Sequence, residues 1–279
     1  MKAVRLFPTL LAQRSGKMAA VVLGVVIALG VLAPWLAIAD PAAIDLGNKF
    51  ADPSRQHWLG TDNLGRDVLS RLIWGARSSL LTALAITALT VAFGALYEGI
   101  STAADGRTDA FMMRLCDMWM SFPSEVLILG VVGMLGPGLS NIVIACFAAK
   151  WPWYARLLRT ISRRIRSKGY VSFALASGAD SRWIFWRHML PNMAGEICVI
   201  ATLDVGSVLL MVSSLSFLGL GVMPPGAEWG MMLAEAKDVL TLHPWQMVPP
   251  GVMILLCVTS LHFLGDALAA ALLAGEGRS

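Results

Sequence analysis

The sequence predicts an all-α polytopic membrane protein with about six transmembrane helices. Three observations lead to this fold class: 57% of the 279 residues are hydrophobic, only 14% are charged, and the apolar residues form long runs. Soluble domains carry about 25% charged residues, whereas about 20 consecutive apolar residues suffice to cross a bilayer. The net charge of +4 comes from basic clusters between the apolar runs, which indicates control of membrane topology rather than nucleic-acid binding.

The first apolar run covers residues 18–38 and follows a basic tail, residues 1–17. Short flanks rich in Lys and Arg stay on the cytoplasmic side, so the run is expected to leave the cytoplasm. A cleavable signal peptide is the competing interpretation, but its apolar region is about 7–15 residues long. This run is longer and contains Pro34 and Trp35, so we interpret it as the first transmembrane helix.

Residues 39–77 are polar and are expected on the extracytoplasmic side. Their glycine-rich turns, Gly60-Thr61-Asp62 and Gly65-Arg66-Asp67, predict a helix start. A phosphate-binding loop is the alternative for these glycines, but the GxxxxGK[ST] pattern does not occur in the sequence. The residues that follow predict an amphipathic helix lying at the membrane interface ahead of the second span. Its apolar face consists of Leu69, Leu72, Ile73 and Trp74.

Residues 78–268 are predicted to form a five-helix core. The spans are expected at residues 79–96, 111–135, 141–158, 192–220 and 248–264, with Pro123 breaking the second of these. A cytoplasmic loop, residues 155–190, and an extracytoplasmic segment with an amphipathic helix, residues 222–246, lie between spans. The final tail, residues 269–279, is expected inside, so both termini are predicted to be cytoplasmic.

The cytoplasmic loop combines high positive charge with a short apolar centre. Residues 154–191 carry eight Lys and Arg residues, and their only acid is Asp180. The centre predicts a short helix, residues 171–177, closed by Gly178 in the left-handed conformation of a C-terminal cap. With Phe173 and Leu175 on its surface, such a helix fits a groove of a partner protein. A basic loop lying on anionic lipid headgroups is the alternative, and the residues alone leave both open.

Four ionisable side chains fall inside or near the predicted spans. Charges within a membrane are costly and are often functional, so Asp204 and Glu125 are candidates for the translocation path. For Asp204, a hydrogen bond to a neighbouring helix is the equal alternative. Glu98 and Lys150 lie near span ends, and we expect them to extend their polar heads towards water.

The potential metal ligands do not form a recognisable site. The 15 Met residues are interpreted as flexible apolar filler, and the four Cys residues, without CxxC spacing, as small buried hydrophobes. His57 and His243 fall outside the membrane, where they are either surface histidines or contacts for an arriving metal complex. We therefore predict no resident metal site in this chain.

Several sequence blocks spread over nearly the whole chain share one family pattern. They are HWLGTDNLGRDVLSRL (57–72), SFPSEVLILGVVGMLGPGLSN (121–141), WPWYARLLR (151–159), SFLGLGVMPPGAEWGMML (216–233) and FLGDAL (263–268). Together they resemble the second, C-type permease of ABC importers for dipeptides, oligopeptides and nickel. Residues 202–221 are most similar to the nickel and metal-chelate branch. The charged tail that this family usually carries is replaced by Ala269, Ala270 and Ala271.

The cytoplasmic loop resembles the conserved loop of the same permeases. Their pattern is Glu-Ala-Ala, three residues, Gly and, after a spacer, Ile-x-Leu-Pro. The corresponding residues here are Ser172-Phe173-Ala174, Gly178 and 188–191, so Ser replaces the Glu and Phe the first Ala. The resemblance implies that this loop couples the permease to ATPase subunits. The coupling residues it implies are Tyr170, Ser172, Phe173, Ala174, Leu175, Ala176, Gly178, Ala179 and Asp180.

The resemblance also implies the fold and the partners. The expected fold is a type I ABC-importer permease bundle in the bacterial inner membrane. The expected partners are a homologous second permease, two cytoplasmic ATPase subunits that bind ATP and Mg, an extracytoplasmic substrate-binding protein and membrane lipid. The chain itself is expected to carry no cofactor, no catalytic residue and no ATPase site, in agreement with the missing Walker motif. The substrate is expected to be nickel, a metal chelate or a small peptide.

Two other classes of function compete with transport. An intramembrane aspartyl protease needs two facing Asp residues, and Asp204 and Asp266 are the candidates, although Asp266 falls at a membrane end. A metalloprotease is excluded because the HExxH motif does not occur. A membrane scaffold is the third possibility, and it would leave uptake intact when the chain is deleted.

Overall fold

The computed structural model describes residues 14–37, 39–104 and 106–276, and these residues are organised by helices. The helices are α1 (Arg14–Val31), α2 (Val68–Ala103), α3 (Gly106–Met120), α4 (Ser124–Leu135), α5 (Leu139–Arg166), α6 (Gly169–Ala176), α7 (Ser181–Phe217), α8 (Trp229–Lys237) and α9 (Val248–Glu276). The all-α fold is thus confirmed. Most of the predicted N-terminal tail lies outside the described residues.

Helix α2 is the centre of the bundle. It packs against α5 and α7 and also against α1, while α9 packs against α7 and α1. Small residues permit these close contacts: a Cβ added to Gly94 would lie 2.7 Å from Tyr154 of α5, and one added to Gly99 would lie 2.8 Å from Phe185 of α7. The main hydrophobic core therefore lies around α2 and includes Ile86.

The separate interfacial helix predicted before the second span is wrong. Residues from Val68 onward belong to α2, which runs for 36 residues without a break. Its start is fixed by Asp67, whose carboxylate accepts a hydrogen bond of 2.7 Å from the Ser70 amide. Leu72 is buried in the core cluster and not at a lipid surface. The apolar face that suggested an interfacial helix is covered by other parts of this chain.

The number of spans that meet length and composition criteria is smaller than predicted. Among the described residues, three helices are long and apolar enough to cross a membrane: Val68–Ala103, Ser181–Phe217 and Pro244–Ala274. Helices α3 and α4 form a fourth span if they are taken together, but they bend by 79° where the sequence contains Pro123. Helix α1 is apolar but shorter, and α5 carries Lys150 and Arg156 within its length.

Several predicted boundaries shift because helices extend into the predicted loops. Helix α5 continues through Pro152 to Arg166 and so includes the first third of the basic loop, residues 155–166. Helix α7 starts at Ser181 and passes through Pro191, where the sequence suggested a restart. A π-helical turn at Phe185–Met189 precedes that proline. Such turns accommodate an interrupted hydrogen-bond ladder.

The amphipathic helix predicted within residues 222–246 is confirmed as α8. Glu228 caps it, because its carboxylate accepts hydrogen bonds from the amides of Gly230 (3.0 Å) and Met231 (2.9 Å). The same carboxylate accepts a hydrogen bond of 2.9 Å from the Ser79 hydroxyl of α2. The Trp229 indole donates to the Leu72 carbonyl at 3.0 Å. Helix α8 is thereby fixed against the first turns of α2.

Candidate functional site: a short exposed helix and buried polar clusters

Helix α6 is a two-turn helix between the long helices α5 and α7. One side is anchored: Val171 is fully buried in a cluster with Leu158 and Ile165 of α5 and with Phe185 and Met193 of α7. Ala174, Leu175 and Ala179 pack against the same cluster. The prediction of a short helix is confirmed, with bounds Gly169–Ala176 in place of residues 171–177.

Gly178 ends α6 in the conformation that the sequence predicted. Its φ is +82°, in the left-handed region that favours glycine. The Gly178 amide donates to the Leu175 carbonyl at 3.0 Å, and the Ala179 amide donates to the Ala174 carbonyl at 3.1 Å. These two bonds define a Schellman cap. Asp180 then caps α7 by accepting from the Arg182 amide at 3.3 Å.

The other side of α6 faces solvent. Phe173 is 75% exposed and Tyr170 45% exposed, although large apolar groups are normally covered. Ser172, Ala176 and Gly178 are exposed as well. The prediction that Leu175 lies on the surface with Phe173 is wrong, since Leu175 packs against the buried cluster. Phe173 is therefore the apolar tip of the helix.

Asp204 is paired across the bundle. Its carboxylate accepts a hydrogen bond of 2.6 Å from the Lys150 ammonium and one of 2.9 Å from the Tyr154 hydroxyl. Lys150 and Tyr154 belong to α5, so the pair joins α5 to α7. The Lys150 side chain is 13% exposed and the Asp204 side chain 11% exposed. The expectation that Lys150 extends towards water is wrong, because Asp204 holds its ammonium inside the bundle.

Glu125, the other candidate for the path, has different surroundings. It lies in the first turn of α4, after the bend at Pro123, and is exposed. Glu125 and Asp204 are not part of one cluster. Asp266, the possible second aspartate of a protease, is also exposed, and the described partners of the Asp204 carboxylate are a lysine and a tyrosine rather than a second acid.

Glu98 is fully buried, so the expectation that it extends towards water is wrong. Its Oε1 accepts a hydrogen bond of 2.6 Å from the Thr102 hydroxyl and further hydrogen bonds from Ser162 and from Arg159. Arg159 also pairs with Asp109. This cluster joins α2, α3 and α5 directly beside the apolar cluster that anchors α6. The sequence did not reveal it, because Glu98 and Ser162 are 64 residues apart.

A second charge cluster lies where residues 62–71 meet α8. The guanidinium of Arg66 contacts Asp62 at 2.7 Å and Glu235 at 2.8 Å, and that of Arg71 contacts the same two acids at 2.5 and 2.6 Å. Both arginines are nearly fully buried. The turn sequence 60–67 thus has a structural role: it carries Asp62 and Arg66, which together with Arg71 of α2 tie the first segment to Glu235 of α8.

The histidines outside the predicted spans have partners within the chain. The Nδ1 atom of His57 lies 3.0 Å from Oδ1 of Asp67, and the His243 ring stacks on Phe50 with centroids 3.9 Å apart. Within the described residues, no group of three or more His, Cys, Asp or Glu side chains is arranged to hold a metal ion.

Long apolar helices around a shared core, with charges paired inside the bundle, define the class of protein as a polytopic membrane protein. Residues 95–274 match the family described as binding-protein-dependent transport system inner membrane component. The chain belongs to this family, whose members are multi-pass inner-membrane subunits of ABC importers.

Curated relatives place the chain more narrowly within importers. It is 38% identical over 254 residues to the nickel transport system permease protein NikC of Escherichia coli K12, covering 91% of this chain and 92% of that protein. It is 40% identical over 259 residues to the metal-staphylopine import system permease protein CntC of Staphylococcus aureus, covering 92% and 90%. The probable D,D-dipeptide transport system permease protein DdpC of Escherichia coli is 39% identical over 251 residues, covering 89% and 84%. The resemblance to the nickel and peptide permeases is thus confirmed.

Proposed function

We propose that this chain forms half of a translocation path and transmits the work of separate ATPase subunits through α6. A homologous second permease supplies the other half, two cytoplasmic ATPase subunits bind ATP and Mg, and an extracytoplasmic binding protein delivers the substrate. The chain itself has no ATPase site and needs no cofactor. Both termini and residues 155–190 are cytoplasmic in this proposal, and residues 39–77 and 222–246 are extracytoplasmic.

The observation that carries the coupling role is the exposure of Phe173 on an anchored helix. Its aromatic ring is 75% exposed, while Val171, two residues earlier, is fully buried between α5 and α7. An apolar side chain presented by a rigid helix fits a groove in a partner. Because Val171 touches the ends of both long helices, a push on Phe173 moves them together, as alternating access requires.

The coupling surface comprises the exposed and cap residues of this segment. Tyr170, Ser172, Phe173 and Ala176 form the outward side; Ala174 and Leu175 seat the helix; Gly178, Ala179 and Asp180 fix its end and the start of α7. The translocation path is proposed to pass Asp204, whose charge is balanced by Lys150 until α5 and α7 move apart. Glu125 is proposed as a second polar group along the path.

The test of coupling uses Phe173→Asp in the assembled importer, with ATP hydrolysis and substrate uptake measured separately. We expect uptake to fall by about tenfold or more while hydrolysis persists, since a charge on the apolar tip disfavours its burial in a groove. Ser172→Glu is the matched control: it adds an acid at the neighbouring exposed position, where the related permeases carry Glu. Normal uptake in Phe173→Asp would contradict the coupling role.

We infer that the substrate is nickel or another metal held by a small chelator. The support is that two relatives are permeases for nickel transport and metal-staphylopine import, each aligned over about nine-tenths of the chain. Dipeptide import is the second candidate, because DdpC is similar to the same degree. Radioactive nickel with histidine and a labelled dipeptide, given separately to the reconstituted importer with its binding protein, distinguish them. Uptake of the dipeptide alone would overturn the metal assignment.

A further inference from the structure

An open groove lies at the junction between α2 and the extracytoplasmic segments. Trp74, Ser78 and Leu81 of α2 form its floor, and Pro41 and Pro225 belong to its walls. Its volume is about 380 Å³, which falls in the range of small-ligand sites. Leu81 is 56% exposed although its surroundings are apolar. The groove is therefore an apolar surface that the described part of this chain leaves uncovered.

Helix length places this groove at the level of lipid headgroups. Between Arg77, which also lines the groove, and Glu98, residues 78–97 of α2 carry no charged side chain, and these 20 residues rise about 30 Å. That rise equals the thickness of a hydrocarbon core, about 30 Å. Trp35, which is 77% exposed after the end of α1, and Trp74 add the aromatic groups typical of a membrane interface.

Arg77 is the only ionisable side chain among the residues that line the groove. It is exposed and forms no ion pair with any described residue. Its guanidinium lies 5.7 Å from the centroid of the Trp74 ring, a cation–π contact that holds it at the groove. The Ser78 hydroxyl already donates to the Ala227 carbonyl at 2.5 Å. A positive charge with free donors thus borders the apolar floor.

The apolar floor continues along α2 away from Arg77. Leu81 and Leu84 are exposed, as are Ala85, Ala88 and Ala92, so every third or fourth residue extends one strip. The strip runs towards the opposite end of the helix and carries no charge. A ligand with an anionic head and a long hydrocarbon tail matches both parts of this surface.

We propose that the groove binds one phospholipid from the leaflet nearer to residues 39–67. Arg77 donates to its phosphodiester, as guanidinium groups do in phosphate sites, and one acyl chain lies on the strip that starts at Leu81. The bound lipid fills the space between α2 and the segments around Pro41 and Pro225. It acts there as a structural lipid that seals the outer part of the bundle.

Native mass spectrometry of the delipidated, full-length chain with its accompanying subunits tests the site. We expect one phosphatidylglycerol to bind per copy of the chain, and Arg77→Gln to weaken that binding about tenfold, the effect of one charge-assisted hydrogen bond. Arg77→Lys should keep most of the affinity. Arg55→Gln, at an exposed arginine of the same extracytoplasmic segment, is the control and should bind as the wild type does. Equal binding of a phosphate-free galactolipid, or wild-type binding in Arg77→Gln, would overturn the proposal.

Photo-crosslinking separates a lipid from a protein occupant. A benzophenone amino acid replaces Leu81 in the floor of the groove, and the irradiated membranes are analysed by mass. A product heavier by one phospholipid is the expected result. A crosslink to a second permease instead would show that the groove is a subunit interface, and the lipid site would be wrong.

Discussion

The ammonium of Lys150 lies 2.6 Å from one carboxylate oxygen of Asp204, and the Tyr154 hydroxyl donates a hydrogen bond of 2.9 Å to the other oxygen. The pair connects the fifth and seventh helices inside the bundle, where both side chains are largely buried. Each charge therefore depends on the other for its solvation. Removing one of the two charges should therefore affect stability differently from removing both.

Replacing Lys150 by Met should destabilise the protein by about 3–5 kcal/mol, because it leaves the Asp204 carboxylate buried without a cation. Asp204→Leu should cost a similar amount for the reverse reason. The double variant should recover most of the loss, since an apolar pair fits the same interior. Thermal unfolding of the purified protein measures all three. Losses that simply add in the double variant would show that the pair is not coupled.

Glu235→Gln should destabilise the contact between α8 and residues 62–71 by about 3 kcal/mol, because two buried guanidinium groups then share the single charge of Asp62. Asp238→Asn is the matched control: Asp238 follows the same helix, is exposed and forms no described ion pair. It should change stability by less than about 0.5 kcal/mol. Equal melting temperatures for the two variants would mean that the Arg66–Arg71 cluster does not hold the segments together.

Gly230→Ala should be strongly destabilising, whereas the chemically identical change Gly130→Ala should not. A Cβ on Gly230 would lie 2.6 Å from the Ser213 Cα, a backbone atom that cannot move aside cheaply. A Cβ on Gly130 meets nothing within 4 Å, so alanine there should favour the helix by up to about 1 kcal/mol. We expect the melting temperature to fall in Gly230→Ala and to rise slightly in Gly130→Ala, relative to the wild type. A stable Gly230→Ala protein would contradict the packing of α8 on α7.

Gly178→Val should impair uptake, because valine resists the positive φ of +82° that ends α6. No atom lies within 4 Å of an added Cβ, so the effect is conformational and not a clash. Gly178→Asn is the control, since asparagine tolerates the left-handed region. Uptake per ATP hydrolysed should fall in the valine variant and stay near normal in the asparagine variant. Equal ratios in both would show that the cap does not support coupling.

Local features of the fold could be predicted from the sequence, and long-range pairs could not. The cap at Gly178 depends only on residues within one helical turn, so a glycine after a short apolar segment was enough to predict it. Helix α8 could be predicted for the same reason. Glu98, in contrast, appeared free to reach water, because its partners Ser162 and Arg159 come from another helix. Apolar periodicity likewise did not reveal whether lipid or protein covers Leu72.

Other features were visible in the sequence only in part: a motif or a position could be recognised, but not its partner or its geometry. Asp62 and Arg66 of the turn sequence 60–67 were visible as a motif, but Glu235, the second acid that pairs with Arg66, is 169 residues away. Two N-cap acids, Asp67 and Glu228, could have been recognised, since each directly precedes its helix. The bend of 79° between α3 and α4 was predicted only as a break at Pro123, because proline marks the position and not the angle.

The proposal that the tip of α6 contacts an ATPase subunit is tested most directly by labelling a cysteine at position 173. Phe173→Cys is combined with Cys198→Ser, because Cys198 is the exposed natural cysteine and Cys116, Cys146 and Cys257 are buried. A membrane-impermeant maleimide is then added to vesicles of either orientation, with and without the ATPase subunits. We expect labelling only from the cytoplasmic side and protection by the ATPase subunits. Labelling from the outer side, or labelling unchanged by the ATPase subunits, would contradict the account.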